Sequence, residues 1–244
     1  MPSLKKYIVA FQLSLSRQFT YRANFMFGRM RELVAFSALI LLFIAIPRGL
    51  AGYTSDQLVM YMLMSTFISA LFSVFAMYGM IDEIADGDLI NYLLRPINYF
   101  LYSLSVVTAM RFLVFVAGIA EVILLALVFQ RADLLNWMLR AHWLAFLVLL
   151  TGGLAIVQLL DFIVGCMAFW TNRSNGPRWL LFILVMFCTG SFFPIDLFPN
   201  WVRKVLELTP FPSLVFVPIK AWFGDLSHAQ LLQAIQIDVF WVVI

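Results

Sequence analysis

Charge is scarce in this sequence. Charged side chains make up 12% of its 244 residues and apolar ones 64%. Ordinary globular domains hold about 25% charged and about 45–50% apolar residues. So little polar surface cannot coat a soluble particle of 28.0 kDa, and mean hydropathy is +0.96. Lipid must be the solvent for most of this chain. Cysteine is nearly absent. Cys166 and Cys188 both lie in apolar runs, where a free thiol behaves as a small buried hydrophobe, so they say little about redox compartment. The two histidines, His142 and His228, are far apart and show no H-E-x-x-H pattern, so no metal site is expected. Sixteen Lys and Arg give a formal charge of only +3 and form no dense block, which argues against a nucleic-acid partner. Lys5, Lys6, Gln12, Ser14, Ser16 and Arg17 interrupt the first twenty residues, so no cleavable signal peptide is expected. No G-x-x-x-x-G-K-[ST] loop occurs, and Gly152-Gly153 runs into an apolar stretch. The chain is therefore not expected to bind ATP in that manner. No serine sits in a G-x-S-x-G elbow either, so no hydrolytic site is visible.

What is present is a series of apolar runs. At about 20 residues per crossing, they read as an all-α, polytopic bundle of six spans over 1–244. The expected spans are 25–46, closed by Pro47, then 58–80, 105–129, 143–170, 179–193 and 231–244. The run 58–80 carries no charge, and Asp56 is placed to cap it. The last run is short for a crossing, and a sixth span cut off at Ile244 is expected. Before the first span, Leu4, Ile8, Phe11, Leu15 and Phe19 recur at helical spacing. A basic amphipathic helix over 3–22 is expected to lie in the membrane interface. Between 194 and 225 the texture changes. Pro194, Pro199, Pro210, Pro212 and Pro218 break the chain into pieces too short to cross. Non-helical backbone is tolerated at membrane depth only where protein shields it. This segment is thus an extramembrane loop of short helices or a shielded re-entrant element. Trp201 and Trp222 suit interfacial anchoring.

Lys and Arg counts set orientation. With the N-terminus in the cytoplasm, that side receives nine (Arg29 and Arg31 among them) and the other six, leaving out Arg111. Residues 82–98 then face the cytoplasm. They contain the densest acidic cluster: Asp82, Glu83, Asp86 and Asp88. An EF-hand loop starting at Asp82 would put Ile84 at its third place and Leu93 at its twelfth. Neither can ligate calcium, so solvated carboxylates, or ones aimed at a basic partner, are the reading. Behind them, Asp86 or Asp88 can cap a short helix. Leu89, Tyr92 and Leu93 would form its apolar edge, Arg95 would suit its negative end, and Pro96 would stop it. About two turns cannot stand alone in water. Either the protein's own surface or a groove on a cytoplasmic partner must pack on it.

Glu121 and Asp161 fall inside expected spans, where ionisable groups are costly and commonly functional. Otherwise they serve as polar contacts between helices. Arg111 is expected to snorkel to the cytoplasmic headgroups.

The chain resembles the permease subunit of ABC-2 type exporters, in its compact six-span branch. The resemblance rests on Glu83-Ile84-Ala85-Asp86-Gly87-Asp88-Leu89 continuing into Leu93-Leu94-Arg95-Pro96-Ile97. It rests also on Thr189-Gly190-Ser191-Phe192-Phe193-Pro194-Ile195, on Phe198-Pro199-Asn200-Trp201 and on Leu208-Thr209-Pro210-Phe211. It implies a homodimer or heterodimer of permeases in the plasma (inner) membrane, each docking a separate ABC ATPase. ATP and Mg would sit on that partner, with no cofactor in this chain. It implies that Asp86, Gly87, Asp88, Leu89, Tyr92, Leu93, Arg95 and Pro96 form the coupling segment. Gly190, Pro194, Pro199 and Pro210 would shape an outer re-entrant element. The family completes a sixth span and usually a basic tail, where this sequence stops. The wall of Phe, Met and Leu favours an amphipathic or lipid-like substrate. Two rival readings are a membrane-embedded lipid-modifying enzyme using Glu121 and Asp161 as acid and base, and a ligand-gated or scaffold membrane protein.

Overall fold

Helix satisfies every backbone group within one segment, which is what an apolar chain in lipid requires. A computed structural model describes residues 4–20, 22–44, 53–72, 77–128, 139, 141–171 and 175–244, and all regular structure among them is helical. In chain order the helices are α1 (Lys5–Thr20), α2 (Arg22–Ile44), α3 (Ser55–Phe72), α4 (Met77–Ala85), α5 (Ile90–Leu93), α6 (Tyr99–Val128), α7 (Trp143–Cys166), α8 (Ala168–Thr171) and α9 (Asn175–Cys188). A 3-10 turn, Ile195–Leu197, precedes α10 (Asn200–Glu207), α11 (Phe211–Leu214), α12 (Phe216–Phe223) and α13 (His228–Val243). Two stretches, Tyr99–Leu125 and Trp143–Thr171, are long and apolar enough to cross a bilayer. Shorter apolar helices lie at Asp56–Phe72 and Trp179–Cys188. Pro47 and residues 73–76, inside the expected second span, lie outside the described residues.

α3 is the axis of the core. Met60, Tyr61, Leu63, Ile68 and Leu71 on it are all at most 1% exposed. Around it pack Phe36 of α2, Val114 and Leu125 of α6, and Phe146, Leu150 and Val157 of α7. The short helices join the same core through Leu214, Val215, Ile219 and Trp222. The proline-broken segment is thus packed against the helical core and not splayed away from it. Trp222 is accordingly a core residue, 1% exposed, and not an interfacial anchor; Trp201 stays exposed. α13 starts on a capping box, Ser227 accepting from the Gln230 backbone while the Gln230 side chain accepts from the Ser227 N–H. It packs on α7 where Gly152 leaves room for the Asp238 carboxylate. A Cβ at Gly152 would come within 2.5 Å of Asp238 Oδ2.

α1 lies along α6, held by polar contacts in a constant register. Lys6 Nζ donates to the Pro96 carbonyl at 2.9 Å. The Asn98 N–H donates to the Tyr7 hydroxyl at 3.1 Å, and Ser14 donates to the Val106 carbonyl at 3.2 Å. The face turned to α6 is Tyr7, Ala10 and Ser14. Leu4, Ile8 and Phe19 of the apolar stripe remain exposed.

Candidate functional site

The segment expected to couple is built by a chain reversal after α4. Gly87 adopts φ +81°, a left-handed conformation that costs a residue with Cβ. The reversal lets the Leu89 N–H reach the Glu83 carbonyl at 3.0 Å. The helix that follows is shorter than expected, the single turn Ile90–Leu93. Leu89 occupies its N-cap and no side chain caps it, so neither Asp86 nor Asp88 plays that role. Asp88 instead accepts from the Asn91 amide at 3.4 Å, and Asp82, Asp86 and Asp88 are exposed. The expected apolar edge is also divided. Leu89 points inward, while Ile90, Leu93 and Leu94 are 58%, 67% and 79% exposed.

Tyr92 turns back onto the protein. Its ring packs against Tyr99 at 5.5 Å and Tyr102 at 5.4 Å between centroids. The Tyr99 hydroxyl donates to Glu83 at 2.7 Å. Partial burial, then the Glu83 carboxylate, push the Tyr92 hydroxyl from 10.0 up to about 12. Arg95 lies 5.9 Å from the Tyr92 ring centroid. The segment is therefore tied at one end to α4 and α6 by Glu83, Tyr92 and Tyr99. At the other end Pro96 and Asn98 tie it to Lys6 and Tyr7 of α1.

Against the middle of α3, α9 stops at a turn that carries the second motif. Gly190 has φ +83°, and its carbonyl accepts the Tyr61 hydroxyl at 2.7 Å. Ser65 donates to the Ser191 carbonyl. Ser69 and Thr189 meet the Ser191 hydroxyl at 3.3 and 2.7 Å. The Phe216 N–H closes on the Thr189 carbonyl at 3.1 Å. Tyr61, Ser65 and Ser69 were not singled out from the sequence, yet their spacing of four puts them on one face of α3. Pro194 precedes the 3-10 turn, Pro199 stands at the N-cap of α10 and Pro210 at that of α11. Each starts a short helix where its missing N–H costs nothing. Asp196 of this region accepts Tyr53 at 2.7 Å and Lys220 at 3.1 Å. Tyr53 and Lys220 both lie outside the spans. Burial, then the neighbouring Asp196, push the Tyr53 hydroxyl up to about 12 even against the Lys220 charge. Burial acts to lower the Lys220 ammonium, but Tyr53 and Asp196 together hold it above its ordinary range.

The intramembrane ionisable groups separate into two sites. Arg111 does not snorkel. It is 7% exposed and donates to the carbonyls of Leu71 on α3 and Leu154 on α7, with Asp161 in electrostatic reach. Glu121 meets Arg29 of α2 at 3.8 Å. Ten residues of helix separate Arg111 from Glu121, about 15 Å. Glu121 and Asp161 thus belong to different clusters, and the paired acid and base that a lipid-modifying enzyme needs is not assembled. Arg29 and Arg31 also cease to count as cytoplasmic headgroup anchors, because Glu121 lies about 33 Å along α6 from Tyr99. Without them the charge count is seven against six.

No curated protein matches the chain. A family described as "ABC-2 family transporter protein" matches residues 31–244, which takes in residues 82–98, the Thr189–Ser191 turn and the proline-started helices. The chain belongs to that family, and it is the membrane-embedded permease component of an ABC transporter.

Proposed function

We propose that this permease is driven by a separate ABC ATPase docked on α5 and moves an amphipathic or lipid-like molecule outward across the plasma (inner) membrane. Two permeases pair and each takes one ATPase, which carries the ATP and Mg. The observation that carries the reading is the exposed trio Ile90, Leu93 and Leu94 on a helix of one turn. An isolated turn has no stability of its own, yet this one is fixed to three helices and offers its apolar side to the exterior. That is the form of a ligand for a groove.

Force applied at α5 has two routes into the spans. One runs through Tyr92, Tyr99 and Glu83 into α6 and α4. The other runs through Pro96 and Asn98 into α1 and thence α2. The N-terminus is cytoplasmic in this scheme because the α5 end faces the ATPase. α1 then starts at the cytoplasmic end and runs beside the first turns of α6, its exposed stripe of Leu4, Ile8 and Phe19 toward lipid.

The test is Leu93→Asp with Leu94→Asp, measuring co-purification with a co-expressed ABC ATPase. Loss of the complex with normal permease yield is expected. An undiminished complex overturns the docking assignment.

A further inference from the structure

A cavity of about 460 Å3 opens between the proline-broken segment and α13, at the end of the molecule opposite α5. Its size is that of a small-molecule site. One wall is charged. Arg203 and Lys220 alternate along it with Asp196, Glu207 and Asp225. Apolar residues, Phe216, Leu226 and Ile237 among them, line the cavity as well.

The charges are not evenly matched. Lys220 Nζ stands 3.1 Å from Asp196 and 3.4 Å from Asp225. Arg203 stands 3.9 Å from Asp196 and 3.5 Å from Glu207. Asp196 also accepts Tyr53, so this carboxylate is saturated. Two cations against three carboxylates leave one negative charge in surplus. It resides on Glu207 and Asp225, which share their cations with Asp196 and whose side chains are 60% and 49% exposed. Gln233 of α13 adds an amide to the same lining. A positively charged donor satisfies this wall, while a second anion would meet a net repulsion. The apolar lining gains nothing from a hydrated inorganic ion but does gain from a hydrocarbon body.

We propose that this cavity binds an amphiphile whose headgroup carries an ammonium group, and that the transported molecule belongs to that class. The second clause rests on the permease reading above; the first stands without it. The ammonium meets Glu207 or Asp225, the two carboxylates at the ends of the charged row, and the apolar body lies on Phe216, Leu226 and Ile237. A membrane lipid and a free amine both supply that chemistry.

Native mass spectrometry of the full chain in a neutral maltoside detergent tests it, with no ATPase and no transport assay. The probes are dihexanoyl phosphatidylethanolamine, dihexanoyl phosphatidylglycerol and hexylammonium. The expected result is that an ammonium-bearing probe is retained while phosphatidylglycerol is not. Retention of phosphatidylethanolamine alone identifies a membrane lipid, and retention of hexylammonium identifies a free amine as sufficient. Glu207→Gln with Asp225→Asn should abolish the preference. Arg203→Gln should strengthen it, a gain that an unfolded variant cannot produce. Equal retention of phosphatidylglycerol, or a preference indifferent to these substitutions, overturns the proposal. Failure of the ATPase complex with this preference intact would sink the docking assignment alone.

Discussion

Gly190 illustrates what a single residue does in this fold. Its backbone is left-handed at φ +83°, and a Cβ there would sit 2.9 Å from the Tyr61 hydroxyl and 3.1 Å from Ile195. The left-handed conformation alone costs a residue with Cβ about 1–2 kcal/mol. Gly190→Ala is expected to lose that and more, because Tyr61 must also move. Tyr61→Phe, which removes only the bond to the Gly190 carbonyl, should cost about 1 kcal/mol. Thermal unfolding in detergent checks both, and Gly190→Ala as the milder change would contradict the geometry. The glycine and the prolines after it were legible in the sequence because they punctuate it. Tyr61, Ser65 and Ser69 were not. They sit in a run whose uncharged, apolar character is all a span needs, and their partners lie more than 120 residues away. Pattern along one segment shows which face is polar, never what that face meets. Arg111 was misread for the same reason. Its expected escape to the headgroups assumed no acceptor nearby, whereas two carbonyls and Asp161 surround it.

Among the elements, the apolar runs carried the fold, since length and composition suffice to make a helix in lipid. Boundaries followed local chemistry, such as Asn98, whose side chain accepts from the Leu101 N–H at 3.1 Å where α6 begins. α5 was legible as an element and wrong in detail, one turn instead of two. Tyr92 is drawn inward by the Tyr99 and Tyr102 rings, a contact across elements that no helical periodicity encodes. Glu83 and Tyr99 are positioning residues for α5. Tyr99→Phe breaks the bond to Glu83 while leaving the ring packing, so the ATPase should still bind while its hydrolysis no longer drives transport. The check is co-purification alongside substrate-stimulated hydrolysis, and retention of both would remove Glu83 and Tyr99 from the force path. The proline-broken segment makes a pH prediction. Tyr53 and Lys220 both titrate higher in the fold than their ordinary 10.0 and 10.5. Groups raised by folding contribute fully below those ordinary values and lose the contribution as pH climbs through the folded ones. The melting temperature should therefore hold from neutral pH to about 10 and fall above it. Tyr53→Phe should flatten the fall, and an unchanged alkaline profile would show that this contact does not set it.

At the scale of the whole molecule, one number organises the N-terminal half. Tyr7 meets Asn98, Ser14 meets Val106 and Arg29 meets Glu121, offsets of 91, 92 and 92 residues. A constant offset means that α1 and the first turns of α2 follow α6 in parallel, before α2 packs on α3. The sequence could not show this, because each stretch separately has a sufficient reading as an interfacial helix or a span. The distant end of the register depends on Arg29 and Glu121. Glu121 is buried and has no hydrogen bond among the described residues, so the Arg29 charge is its main compensation. Removing one partner of a buried pair costs on the order of 3–5 kcal/mol because the other charge is stranded. Arg29 keeps 17% side-chain exposure, which places the expected loss toward the lower end. Arg29→Glu sets two carboxylates against each other and should reduce the fraction of permease surviving mild heating in detergent. Glu121→Arg alone should do the same. Combining them restores opposite charges at the same place, so the double variant should recover most of the loss if α2 lies beside α6 in this register. Additive damage would mean that the two side chains do not meet, and that α2 takes another path through the bundle.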